Sequence, residues 1–310
     1  MQLAPIVLFA YNRPFHLAHT LESLSNNTLA GESELIVYSD GPKNPSDKEE
    51  LAVIEAVRAA VNKKKWCKSV TLVCAEKNKG LKSSIVEGVN DVISRHGRVI
   101  VIEDDLVLGK NFLSYMNEAL EMYELKKRVM HISGYSFNMD KSTLGDTFFL
   151  PMTCSWGWAT WSDRWMLFMN DAQKISDAIN KRNEMNKFNF YGNYTDMQDQ
   201  LEANIEGRLD TWGIKWYGST FLQNGLSLYP KYSLVKNIGF DNSGMNSKED
   251  KSFDVDLFED ASVQLLPLKV EESKAASQLF FSFLKEIQRR RTPWLPIRAY
   301  RYIKRKFLVV

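Results

Sequence analysis

Short apolar runs alternate with longer stretches whose apolar residues recur every three or four positions through the first hundred residues. Ala4 to Ala10 is the first run, and it breaks at Tyr11-Asn12-Arg13-Pro14. Pro14 suits the first position of a helix, where no amide hydrogen is needed, and Phe15, Ala18, Leu21 and Leu24 follow at helical spacing. Glu34 to Ser39 predicts a second strand, ending at the turn residues Asp40-Gly41-Pro42. Ser46 and Glu49 have the spacing of a capping box ahead of an apolar face at Leu51, Ile54, Val57 and Val61. Ser69 to Ala75 predicts a third strand, Gly80 to His96 a helix closed by Gly97, and Arg98 to Ile102 a fourth strand that runs into Glu103-Asp104-Asp105.

Strands alternating with helices predict an α/β fold, Rossmann-like, with a mixed but mostly parallel sheet and helices on both faces. Ligands of such sheets bind beyond the carboxyl ends of the strands. Tyr11-Asn12-Arg13, Asp40-Gly41, Asn78-Lys79-Gly80 and Glu103-Asp104-Asp105 all fall there. The later chain loses this rhythm. Thr147 to Trp165 is rich in aromatic residues, Asp196 to Asn224 reads as helical, and Leu226 to Tyr229 is a brief strand before Pro230. With no linker and no internal repeat, the expected organisation is one domain over 1–270, in halves 1–107 and 108–270, and a helical tail over 271–310.

The acidic triplet is the strongest chemical signal. Three carboxylates closing a buried strand repel one another, and desolvation makes this worse. A hard divalent cation, Mn²⁺ or Mg²⁺, relieves the conflict and can bridge to a diphosphate. Strand alternation predicts Glu103 and Asp105 on one face and Asp104 on the other. The plainer alternative is an acidic turn that caps the next helix. Trp156 and Trp158 have two readings as well, stacking on a sugar ring or packing in the core. The four histidines show no zinc-binding spacing, and no Ser-His-Asp order or phosphate-binding P-loop stands out.

Composition narrows the setting. The chain has 310 residues with 40 Lys and Arg against 38 Asp and Glu, a net charge of +2 that gives no reason to expect a nucleic-acid partner. The charge is uneven, because nine basic residues and one acid lie between Lys285 and Lys306. Cys67, Cys74 and Cys154 are odd in number and lack metal spacing, which points to a reducing compartment. Leu3 to Ala10 is too short for a signal peptide, and no apolar window is long enough to span a membrane. Residues 279–310 interleave Phe280, Phe281, Phe283, Trp294, Tyr300, Tyr302 and Phe307 with the basic residues. Such a segment suits an anionic membrane surface, with Pro293 and Pro296 dividing it into two short helices. A dimerisation arm or a solvated basic end are the alternatives. The resulting expectation is a cytoplasmic protein, peripheral on the inner face of the cell membrane.

Taken in order, Tyr11-Asn12-Arg13-Pro14, Ser39-Asp40-Gly41, Asn78-Lys79-Gly80-Leu81 and Glu103-Asp104-Asp105 resemble the nucleotide-sugar glycosyltransferases of the GT-A fold. Phe148-Phe149, Trp156-Gly157-Trp158, Asp210-Thr211-Trp212, Tyr229-Pro230 and Asn237-Ile238-Gly239-Phe240 resemble the N-acetylglucosaminyltransferase I group, including bacterial relatives labelled hemolysin-like. The resemblance covers about residues 4–245. It implies that 1–107 binds the nucleotide and 108–270 binds the acceptor and carries catalysis. It further implies that Ala10 and Tyr11 line the uracil or ribose pocket, with Arg13 near the phosphates. Asp40 would accept from the uracil N–H, Asp104 would contact the ribose, and Asp105 would ligate Mn²⁺ or Mg²⁺. Lys79 or Lys82 would add positive charge, unless Lys79 is a solvated loop residue.

Inversion at an anomeric carbon needs a carboxylate to take the proton of the incoming hydroxyl. The resemblance makes Asp210 that base, with Glu206 and Asp199 as alternatives, since Thr211 stands where relatives carry a second acid. Asp210 also reads as the N-cap of a helix starting near Trp212. The loop Asn242-Ser243-Gly244 lacks a histidine found in relatives. The expected activity is inverting, metal-dependent transfer of a hexosyl or N-acetylhexosaminyl group from a UDP-sugar to a glycan hydroxyl, on a free or lipid-linked acceptor in polysaccharide biosynthesis. Alternatives are a sugar-phosphate nucleotidyltransferase, disfavoured because Tyr11-Asn12-Arg13-Pro14 has no glycine, and an inactive membrane-associated scaffold.

Overall fold

The computed structural model describes residues 2–241, 251–258 and 263–291. Its first part holds β1 (Ile6–Ala10), α1 (Pro14–Ser25), β2 (Glu34–Ser39), α2 (Lys48–Asn62), β3 (Ser69–Cys74), α3 (Leu81–His96) and β4 (Arg98–Glu103). Each lies within two residues of its expected bounds, and only the cap of α2 differs. There Asp47, not Ser46, is the N-cap: its carboxylate accepts from the amides of Glu49 and Glu50. Glu50 instead serves the loop before the helix, accepting from the amides of Lys43 and Asn44.

Past β4 come β5 (Leu106–Leu108), α4 (Phe112–Met122), β6 (Val129–Ser133), β7 (Thr147–Leu150), β8 (Trp158–Trp161), α5 (Ser162–Trp165), α6 (Ala172–Lys181) and α7 (Met185–Phe188). They are followed by α8 (Asp196–Ile205), α9 (Gly213–Leu222), β9 (Leu226–Pro230), β10 (Val235–Asn237) and α10 (Lys274–Arg291). The expected helical stretch 196–224 is therefore two helices. Ala203 O accepts from the amides of Arg208 and Leu209, and Asn204 Oδ1 takes the amide of Thr211, which closes α8 and turns the chain.

Eight strands form one sheet in the order β3-β2-β1-β4-β8-β6-β9-β7, and β5 pairs with β10 in a second, two-stranded one. Four of the seven neighbouring pairs in the large sheet are parallel and three antiparallel. This is the mixed, mostly parallel, Rossmann-like α/β fold expected. Period-two alternation divides its core. Ile6, Leu8, Ile100 and Ile102 pack with Leu17, Leu21, Val57 and Met116 of α1, α2 and α4. Val7, Phe9, Val99 and Val101 pack with Ile85, Val89 and Val92 of α3 and with Trp158, Trp165, Trp212 and Trp216. Helices thus cover both faces, and the sheet's carboxyl edge is left for the site.

The helical tail begins as α10, but its first aromatic residue is not available to a lipid surface. Ala276, Phe280, Leu284 and Ile287 form a buried stripe at helical spacing. Phe280 meets Phe137 and Phe190 at ring distances of 4.7 and 5.3 Å, and Phe283 meets Phe137 at 5.8 Å. Pro293, Trp294, Pro296, Tyr300, Tyr302 and Phe307 lie outside the described residues, as does the 242–244 loop. Among the described residues no helix is long and apolar enough to cross a membrane. All three cysteines are free thiols.

Candidate functional site

A cavity of about 590 Å³ opens at the carboxyl ends of β1, β2 and β4, within the usual range for small-molecule sites. One wall is the α/β edge: Ala10, Tyr11, Arg13, Asp40, Asn78 and the Glu103-Asp104-Asp105 turn. The other comes from the later chain and includes Trp156, Met197, Asp210, Trp212, Phe240 and Phe280. The cavity gathers eight of the ten sequence-predicted site residues. Lys79 and Trp158 are the two that do not line it.

Strand alternation does not extend through the acidic triplet. β4 ends at Glu103, and Asp104 and Asp105 lie in the turn to β5. One Arg13 nitrogen, Nη2, therefore reaches both, at 2.6 Å from Asp104 Oδ1 and 2.9 Å from Asp105 Oδ2. Asp104 Oδ2 also accepts from the amide of Tyr11 at 3.3 Å. Asp105 is covered from the other side. The Ile238 amide donates to Asp105 O, and a Cβ at Gly239 would strike Asp105 Oδ2 and lie 2.8 Å from Arg13 Nη1. Only glycine lets this segment lie so close. Burial, then the charges of Asp105 and Asp104, push the Glu103 carboxyl up to about 8. Burial raises Asp104 to about 6, with Arg13 holding it down and Asp105 adding to the rise. Arg13 is itself shifted up, its desolvation outweighed by the two aspartates.

Among the described residues no three His, Cys, Asp or Glu side chains are grouped to hold a metal, so an all-protein cage is not the fitting arrangement. The residues do fit the sparer one, in which a single carboxylate binds the ion and phosphate oxygens and water complete its shell. Asp105 Oδ1 makes no hydrogen bond among the described residues, and three clustered acids match only one arginine.

Asp40 is buried and receives four donors of its own chain. Its oxygens accept from the amides of Gly41, Lys79 and Gly80 and from Asn78 Nδ2, all between 2.8 and 3.0 Å. A carboxylate has about four lone-pair directions, so this set fills it. Asp40 thus fixes the loop that starts α3. The ammonium of Lys79 leaves the cavity to pair with Glu87 at 2.6 Å, while Lys82 lines the cavity. Tyr11 donates its hydroxyl to Glu50, and burial followed by that carboxylate raises its pKa.

Asp210 does not cap α9, whose N-cap position is Trp212 with no side-chain bond. Instead it spans two lysines, 2.6 Å from Lys82 Nζ of α3 and 3.1 Å from Lys215 Nζ of α9. Partial burial acts to raise its pKa, but the bonds from Lys82 and Lys215 outweigh this and lower it. Lys215 was not singled out in the sequence. Its spacing from Asp210 is visible there, but its burial is not.

The two tryptophans part company. Gly157 has φ +62, which turns the chain between them. Trp158 is fully buried, stacked on Trp212 at 5.1 Å and on His131 at 5.5 Å, and belongs to the core. Trp156 stays at the cavity wall, edge-on to Tyr135 at 4.7 Å and to Phe240 at 5.4 Å. His131 is buried between the indole N–H of Trp216, 3.2 Å from Nδ1, and the amide of Cys154, 3.4 Å from Nε2. Its desolvation lowers its pKa to about 3.

No protein-family model matches the chain, and no curated protein matches it. Among solved structures, S. aureus TarS is similar at 16% identity and a TM-score of 0.29, over 42% of this chain and 21% of that one. TarS 1–349 in complexes with UDP and with UDP-GlcNAc gives the same identity, TM-score and share of this chain, over 34% and 33% of those chains. The matched region therefore spans about a third or less of these chains.

Proposed function

We propose that the protein is a glycosyltransferase that moves a sugar from a UDP-sugar to a glycan hydroxyl, with inversion and with Mn²⁺ or Mg²⁺ as cofactor. The observation that carries this reading is the cavity itself: clustered carboxylates with a bridging arginine on the sheet's carboxyl edge, facing a separate carboxylate, Asp210, on the opposite wall. The motif resemblance supplies the chemistry that such a pair of walls would serve. Asp105 would hold the cation, which when bound would screen the charge of the departing diphosphate.

Arg13 would then move from neutralising Asp104 and Asp105 to meeting phosphate oxygens, a planar bidentate match. Asp40 would act through the loop it holds, with any base contact made by that loop's backbone. Trp156 would present a ring face or edge to a sugar. Asp210 would accept the proton of the acceptor hydroxyl as that oxygen attacks the anomeric carbon. A lipid-linked acceptor and attachment of the basic residues between Lys285 and Lys306 to anionic lipid at the inner face of the cell membrane belong to the same proposal, with Phe280 left to the core. Calorimetric titration of UDP and GDP, with and without Mn²⁺, tests it. Mn²⁺-dependent binding of UDP is expected, followed by turnover of a UDP-sugar; folded protein that binds neither nucleotide would overturn the reading.

A further inference from the structure

Lys82 and Asp210 come from opposite walls of the cavity and meet across it at 2.6 Å. Lys82 lies in the first turn of α3, directly after the loop that Asp40 organises, and its side chain is 21% exposed. Asp210 lies in the turn between α8 and α9 and is 63% exposed. Such a pair is easily exchanged, because water already solvates the carboxylate and the bond adds little net stability. Lys215 differs. It is only 6% exposed and lies 3.1 Å from Asp210 Oδ1.

We propose that Lys82 is an exchangeable cation that links donor binding to activation of the base. In the free protein it is paired with Asp210. The donor's diphosphate oxygens offer the ammonium a competing set of acceptors, draw it away and leave Asp210 held by Lys215 alone. A carboxylate held by two cations is a weak proton acceptor, and removing one raises its basicity. The charged groups facing Asp210 are these two lysines, from α3 and from α9; Arg208, nearby in the same turn, is paired with Glu206. The acceptor hydroxyl is thus activated only when donor is in place. This rests on the glycosyltransferase reading above. It makes Lys82 a positioning residue for Asp210 as well as a diphosphate contact.

The test is calorimetric titration of UDP, with Mn²⁺, into wild type, Lys82→Met, Lys82→Arg and Asp210→Asn. Lys82→Met should weaken binding by about tenfold, the scale of one charge-assisted contact, and Lys82→Arg should restore most of it. Asp210→Asn should tighten UDP binding by about two- to fivefold, because the competing carboxylate is gone. A merely structural bridge gives unchanged or weaker binding in Asp210→Asn, and that result overturns the exchange. Asp210→Asn leaves Lys215 buried without its carboxylate, so Asp210→Asn/Lys215→Met is measured beside it, with the same tightening expected. A second readout is the acidic limb of the pH profile for UDP-sugar turnover. In wild type it should lie higher for kcat at saturating donor than for kcat/KM of the donor, and in Lys82→Met the two should coincide. Equal limbs in wild type overturn the proposal. Wild type that neither binds UDP nor consumes a UDP-sugar defeats the glycosyltransferase reading instead, so the two failures are distinct.

Discussion

The two walls of the cavity each present a carboxylate, and they hold it by opposite means. Asp40 is buried and takes three backbone amides and one side-chain amide, all from residues 41–80. Asp210 is 63% exposed and is held by two ammonium groups on side chains of separate helices. A charge anchored by backbone donors is fixed when the fold forms, and losing it costs stability. A charge anchored by flexible side chains can change partners during a reaction, and losing it costs rate. The same division runs through the tryptophans: Trp158 belongs to the packed core, and Trp156 to the cavity wall.

The sharpest way to break this comparison is at the carboxylates themselves. Asp210→Asn should lower kcat for transfer by about 10²- to 10⁴-fold, the usual weight of a general base, while nucleotide binding survives. A near-normal rate would remove Asp210 from catalysis and return attention to Glu206 and Asp199. Among the tryptophans, Trp158→Ala should cost about 3–5 kcal/mol in denaturant unfolding, as large buried rings do. Trp156→Ala should cost less stability and act mainly on the acceptor KM. Equal losses of stability would erase the distinction between the two.

A smaller effect is expected at Asp40. Asp40→Asn puts an NH₂ group against amide donors and should cost about 2–3 kcal/mol, lowering the melting temperature. Loss of activity at unchanged stability would instead mark Asp40 as a direct ligand contact. A last effect, confined to acid, concerns His131. A neutral imidazole has one acceptor nitrogen, yet two N–H donors face this ring, so protonation has no partner to support it. With the folded pKa near 3 and the unfolded value near 6.5, the unfolded chain gains the proton first. Stability is therefore intact above about pH 6.5 and falls progressively towards pH 3. His131→Gln should flatten that part of the melting-temperature profile.

Much of the α/β wall was legible in the chain because its signals are local. A proline after a strand starts α1 at Pro14, and Gly97 closes α3, within the residues that carry the signal. Local reading slipped where two neighbours competed for one role, as Ser46 and Asp47 did for the α2 cap. It failed at the acidic triplet for a related reason. Alternation holds only while the strand lasts, and β4 ends at Glu103, so Asp104 and Asp105 turn to one arginine. The later half was less legible because β8 enters antiparallel between β4 and β6, which breaks the strand–helix rhythm.

By itself, then, the sequence determined the α/β class, the seven elements from β1 to β4, and the polar clusters that reach the sheet's carboxyl edge. Periodicity, caps and turn residues act over a few positions and need no distant partner. Tertiary structure alone decided which lysine faces the cavity, that Lys215 is buried against Asp210, that Gly239 closes over Asp105, and that Phe280 joins the core. Each of these depends on which side chains from remote segments compete for the same small volume. That competition is settled by packing and desolvation after the elements have met.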